Sequence, residues 1–136
     1  MQWIDYLPHQ PPMRLLEVVV DVVPGEHATG RRVAHPGDFY FDGHFPMAPV
    51  VPAIILIEML AQTGGIAAAT ADGEMGTRQL RVAAVGPFRF PAAAGPGAML
   101  EARARVAGRF GRLCKIEGDI TADGRLVASG TLTLAG

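Results

Sequence analysis

The chain reads as an α+β protein in which a curved antiparallel sheet of about six strands wraps one long apolar helix. Three observations predict this. Residues 52–70, "PAIILIEMLAQTGGIAAAT", are long and apolar on nearly every side. In the second half, Leu100, Ala102, Ala104 and Val106 interleave with Glu101, Arg103 and Arg105, and Cys114, Ile116, Gly118 and Ile120 with Lys115, Glu117, Asp119 and Thr121. That period of two marks strands with one dry face and one wet face. Third, "ADGR" at 122–125 is an Asp-Gly hairpin turn. A helix that is greasy all round has to be covered on most sides, and a folded sheet can do that.

The elements follow in order. "LPHQPP", 7–12, is too proline-rich for regular structure. Residues 13–23, "MRLLEVVVDVV", predict a strand that ends at Pro24-Gly25, and 26–35 predict a second strand pairing back as a hairpin. Residues 36–46 predict a loop carrying Phe39, Tyr40 and Phe41. The helix starts near Pro52, which a first turn tolerates, and runs to about Thr70. Within it, Gly64-Gly65 either weakens the last turns or marks close packing. A loop is expected at 71–77, then strands to the end with turns at 108–111 and 122–125. At 136 residues, one domain spanning 1–136 is expected. An open sheet with edge strands favours dimerisation through an edge.

Composition excludes several functions. Hydrophobic residues make up 49% and charged residues 18%, the balance of a globular chain. A net charge of −1 without a basic block leaves no footprint for nucleic acid. A single cysteine, Cys114, rules out a disulfide framework and a cysteine-rich zinc site. His9, His27, His35 and His44 lack paired metal-ligand spacing, so no metal is expected. There is no G-x-S-x-G and no phosphate loop. "MQWIDYLPHQPPM" lacks the pattern of a signal peptide, and a cytoplasmic location is the simplest expectation. Residues 50–69 are about the length of a membrane span. They hold Pro52, Glu58, Gln62 and a Gly-Gly pair, however. A mid-bilayer carboxylate costs roughly 2.5–3.5 kcal/mol. A buried core helix is expected, and no membrane span.

The chemistry gathers around that helix. Glu58 is its one carboxylate, and His44 stands in the loop before it. Apolar surroundings favour a protonated carboxyl, while a histidine at the same cavity can serve as a neutral base. Gln62 lies four residues after Glu58, on the same helical face. The helix start near Pro52 and Ala53 offers free N–H groups and the positive end of the dipole, suited to an oxyanion on a carbonyl. Taken singly, His44 reads equally as a structural hydrogen-bonding residue and Glu58 as a wet-face glutamate. Taken together they suit proton chemistry alpha to the carbonyl of an apolar substrate.

"LPHQPPMRLLEVV", then "FYFDGHFPMAPVVPAIILIEMLAQ", then "FRFP", "GPGAMLEARARV" and "GDITADGRLVASGTLTL" resemble the FabZ-type 3-hydroxyacyl-[acyl-carrier-protein] dehydratases of the FabA/FabZ-like family. The resemblance spans about 7–134. It implies the hot-dog fold and a homodimer, or a higher oligomer built from it, whose active sites join two subunits. It implies no cofactor. The implied reaction removes water from a (3R)-3-hydroxyacyl thioester to give the trans-2-enoyl thioester, in fatty-acid or related lipid or polyketide-like biosynthesis. The thioester would be carried on an acyl carrier protein or on coenzyme A. Carried over, His44 takes the C2 proton and Glu58 of the other chain protonates the departing hydroxyl. Gln62 supports Glu58, and backbone N–H groups at Gly43 and Ala53 hold the thioester oxygen. Phe45, Ile54, Ile57 and Phe88 are candidates to line the acyl tunnel. The sequence departs from the family at Ala53, where a glycine is usual, at Met47-Ala48 for Gly-Arg, and at Gln10 and Phe90 for basic residues. Two other readings fit the same residues. One is a hot-dog acyl thioesterase in which Glu58 activates water. The other is a non-catalytic acyl-binding subunit.

Overall fold

A computed structural model describes residues 2–70 and 80–136. The loop expected at 71–77 lies outside them. Six strands and one helix are described: β1 (Val18–Val23), β2 (His27–Val33), α1 (Ala53–Thr70), β3 (Arg81–Arg89), β4 (Met99–Phe110), β5 (Leu113–Ala122) and β6 (Arg125–Ala135). The strands form one sheet in the order β1-β2-β4-β5-β6-β3, and every neighbouring pair is antiparallel. Both expected turns in the second half are present, joining β4 to β5 and β5 to β6.

The first strand begins later than its valine-rich sequence predicts. Residues 13–17 precede β1 because their backbone groups bond elsewhere. Leu15 N–H and Met13 C=O are taken by the Gln62 side chain, the Met13 and Arg14 N–H groups donate to Gln10 C=O, and bonding to β2 begins only at Glu17, whose N–H donates to Arg31 C=O. Two short 3-10 turns, Trp3–Tyr6 and Phe39–Phe41, interrupt segments that read as irregular.

Helix α1 lies against β2, β4, β5 and β6, and its buried side chains include Met59, Leu60 and Ile66. They meet Leu100, Ile116, Ile120 and Leu132 in the same core cluster. The helix is long and apolar enough to cross a membrane, with a hydropathy of 1.5, yet 72% of it is buried inside the fold. It is the core helix that the sequence predicts. Arg109 closes its far end by donating from Nη2 to the Ala68 carbonyl at 2.6 Å, a cation at the negative pole of the dipole.

Two glycines set how closely helix and sheet approach. A Cβ on Gly64 would fall 2.7 Å from Ile116 Cγ2, inside a side chain that is itself fully buried. A Cβ on Gly118 of β5 would fall 2.8 Å from Leu60 Cδ1 and would run into the Arg103 carbonyl oxygen. Gly64 therefore marks close packing and does not end the helix. Gly65 is different, since a Cβ there meets only Leu134 Cδ1 at 4.0 Å.

Part of the apolar surface stays uncovered. Ile54 is 73% exposed, and Ile57 and Glu58 beside it on the helix are half-buried. Edge strand β3 is exposed along most of its length and holds Pro87, a residue tolerated at an edge.

Thermal unfolding should separate the two adjacent helix glycines. Gly64→Ala overpacks against Ile116 and should cost about 2 kcal/mol. Gly65→Ala removes a poor helix former without a clash and should add up to about 1 kcal/mol. Equal melting temperatures for the two variants would contradict the packing described.

Candidate active site

The loop that carries His44 is built on Asp38. This carboxylate accepts from Arg32 Nη2 at 2.6 Å, from Tyr40 Oη at 2.7 Å, from His35 N–H at 3.1 Å and from Arg32 Nε at 3.3 Å. Burial pushes the Asp38 carboxyl up, but the bonds from Arg32 and Tyr40 outweigh it and hold the group below its usual range. Burial, and then Asp38, push the Tyr40 phenol well above its ordinary value, so Tyr40 remains an O–H donor. This network fixes the Phe39–Phe41 turn, from which the chain passes through Gly43, at φ +77°, into His44.

His44 is pinned twice to one residue. Its carbonyl accepts from Val50 N–H at 2.9 Å, and its Nδ1 lies 3.2 Å from the Val50 carbonyl. A carbonyl can only accept, so in the neutral ring Nδ1 carries the hydrogen and Nε2 keeps its lone pair. The ring faces a cleft of about 450 Å³ lined by Phe39, Tyr40, Pro52, Ala53, Ile54 and Ile55. Ala53 and Ile54 are the first residues of α1, whose N–H groups have no intrahelical acceptor. His44, the helix start and an apolar wall therefore share one cleft. Phe45 stacks on His44 with ring centroids 4.2 Å apart and is 55% exposed.

Met47 follows in a tight turn closed by Ala48 N–H donating to Phe45 C=O at 3.0 Å. Its φ of +65° is the left-handed conformation that favours glycine at this turn position. A methionine there costs roughly 1 kcal/mol.

Glu58 and Gln62 occupy a second cleft, of about 160 Å³, with His9, Leu80, Arg81, Val82 and Leu134. Gln62 is 2% exposed and uses both ends of its amide. Its Oε1 accepts from Leu15 N–H at 2.9 Å, while its Nε2 donates to Met13 C=O at 2.8 Å and to Glu58 Oε2 at 2.9 Å. The Glu58 side chain is 29% exposed in the single chain, wetter than its apolar sequence surroundings suggest. His9, whose Nε2 lies 3.4 Å from Glu58 Oε2, is the residue that sequence reasoning missed. Its position within "LPHQPP", a stretch held by prolines, is the signal that was available.

His44 and Glu58 line different clefts of the chain. Of the expected tunnel residues, Ile54 lines the His44 cleft and Phe45 packs on His44 itself. Ile57 and Phe88 line neither cleft. Phe88 sits on β3 opposite Gly130 and stacks on Phe90 at 5.8 Å.

One buried helix inside a curved antiparallel sheet, with a histidine before the helix and a glutamate on it, defines a hot-dog protein of the acyl-thioester class. The chain belongs to the FabA-like domain family, which matches residues 7–131. It is similar to the 3-hydroxyacyl-[acyl-carrier-protein] dehydratase FabZ of Nitratidesulfovibrio vulgaris (strain Miyazaki F), with 33% identity over 135 residues, 98% of this chain and 88% of that one. It is also similar to the dehydratase FabZ of Streptococcus gordonii, with 35% identity over 131 residues, 96% of this chain and 92% of that one. A chain of the dehydratase heterocomplex ApeI:P from Xenorhabdus doucetiae shares the fold, with a TM-score of 0.79 over 99% of this chain and 90% of that chain at 23% identity.

Two variants test the loop. Asp38→Asn weakens a charge-assisted network and should cost about 2 kcal/mol at neutral pH. The stability that a lowered carboxylate contributes is in place above its unfolded value, about 4, and is lost as pH falls through its lowered folded value. The variant should therefore lose less stability than the parent on acidification; parallel curves of melting temperature against pH would contradict the network. Met47→Gly should raise the melting temperature by relieving the left-handed turn, and a drop would show that the side chain contributes more than its strain.

Proposed function

We propose that two copies of this chain form the dehydratase sites, each site combining His44 of one copy with Glu58 of the other. The observation that carries this reading is His44 itself. Val50 sets its tautomer and leaves Nε2 the lone pair, the residue lines an apolar cleft, and the first residues of α1 line that same cleft. The FabZ relatives are named for dehydration of a 3-hydroxyacyl group on acyl carrier protein. The same substrate class suits an apolar cleft with His44 in its wall.

The proposed steps are as follows. The thioester carbonyl oxygen sits at the N–H groups of the helix start, near Ala53, with Gly43 on the other side. His44 Nε2 removes a proton from C2, and the negative charge moves onto that oxygen. The electrons return to form the C2–C3 double bond as the C3–O bond breaks. Glu58 gives its proton to the departing hydroxyl, which leaves as water, and the trans-2-enoyl thioester remains. As a hydro-lyase step this consumes no oxidant and no reductant. Acyl carrier protein is the proposed carrier and fatty-acid biosynthesis the proposed pathway, in a cytoplasmic homodimer.

The separation of His44 and Glu58 within one chain supports a site shared between copies. So does the uncovered stripe of Ala53, Ile54, Ile57 and Glu58, which a second copy could bury together with edge strand β3.

Complementation tests the shared site. His44→Ala and Glu58→Gln should each abolish formation of the conjugated enoyl thioester, followed by its absorbance. Co-expressed, the two inactive chains should recover about one quarter of parental activity, because about half the dimers are mixed and each holds one intact site. No recovery would place base and acid in the same chain. Release of free thiol without enoyl absorbance would overturn dehydration in favour of hydrolysis.

A further inference from the structure

We propose that His9 is a positioning residue for Glu58, confining the transferable proton of the carboxyl to Oε1. The proposal rests on Glu58 being the acid. Gln62 Nε2 donates to Glu58 Oε2 at 2.9 Å, and His9 Nε2 approaches that same oxygen to 3.4 Å from the opposite segment of chain. An amide N–H can only donate, so Oε2 is held as an acceptor. His9 Nδ1 is buried and has no hydrogen-bond partner among the described residues. A hydrogen on Nδ1 would be a buried, unpaired donor, so the ring hydrogen belongs on Nε2, beside Oε2.

One N–H donates to Oε2, and the His9 ring nitrogen stands 3.4 Å from the same oxygen. The proton of the acid form is left to the other, Oε1. A general acid has to present its proton toward the leaving oxygen, and a carboxyl free to carry it on either side would do so for only part of the time. The His9 backbone is well placed to hold this arrangement. Leu7 is buried, the segment is stiffened by Pro8, Pro11 and Pro12, and Gln62 ties the following residues to the same helix. Among the described residues, the charged or titratable groups facing Glu58 are His9 from the N-terminal segment and Arg81 from β3. Gln62 on its own helix is neutral, and Leu80, Val82 and Leu134 complete the wall.

The test compares His9→Phe, which keeps bulk and removes the donor, with His9→Gln, which restores an N–H at similar reach. Steady-state dehydration is measured across pH on both, with thermal melts as the folding control. His9→Phe should lower kcat on the acid plateau by about tenfold with little change in KM. Because KM holds, kcat/KM should fall by the same factor. His9→Gln should return both toward the parent. A purely structural role would lower the melting temperature and raise KM along with the loss of kcat, and His9→Gln would not rescue it. A His9→Phe profile that superimposes on the parent, or a His9→Gln that behaves like His9→Phe, would overturn the proposal. Glu58→Gln serves as the separate control. If that variant still turns over, the acid assignment itself fails; if it is dead while His9→Phe is unchanged, only the role of His9 fails.

Discussion

The close seating of α1 on the sheet is the constraint from which the rest of the molecule takes its geometry. Gly64 admits Ile116 from below, and Gly118 admits Leu60 from above. These reciprocal contacts lock the helix in depth and in rotation. Its first turn is then placed beside His44, and its second turn places Glu58 against the N-terminal segment. A core packed to this density responds to even one methyl group, so helix and cleft cannot be adjusted independently.

Gln62 is the second fixed point. It is buried in a helix otherwise built for grease, and it is tolerated because each of its amide groups is satisfied. Two of its three bonds go to backbone outside any strand. They compensate groups at Met13 and Leu15 that would otherwise seek a ladder partner. One side chain therefore attaches the first segment of the chain to the helix and orients the carboxyl beside it.

The fold was legible because its period-two strands and its apolar helix are strong, unambiguous patterns. Cys114 to Thr121 alternates without a break, and no other element competes to cover residues 53–70. The carboxyl partner Gln62 was legible from i, i+4 spacing alone. The late start of β1 was not, because Val, Leu and Met at 13–17 have the composition of a strand while their backbone bonds are drawn off by a residue 47 positions away. His9 escaped although "LPHQPP" marks it as a histidine in a proline-held stretch, because its contact with Glu58 is made across the fold. Phe88 was a tunnel candidate through resemblance alone, and in the single chain it stacks on Phe90 beside Pro87 of edge strand β3. Met47 shows the reverse case, in which a departure visible in the sequence acquires its meaning only from a backbone angle.

The bare stripe along α1 has a consequence for the life of the chain before it assembles. Ile54 stands in water at the head of an otherwise dry helix, and β3 offers an unpaired edge. A lone copy therefore carries the two features that most invite promiscuous association, an open strand and exposed grease. With His44 and Glu58 in different clefts, a lone copy would lack a complete site if the two residues act together. Under the shared-site reading, folding, solubility and competence become one concentration-dependent event, governed by mass action between copies. The quantity under selection would then be how quickly a newly made chain meets its own kind.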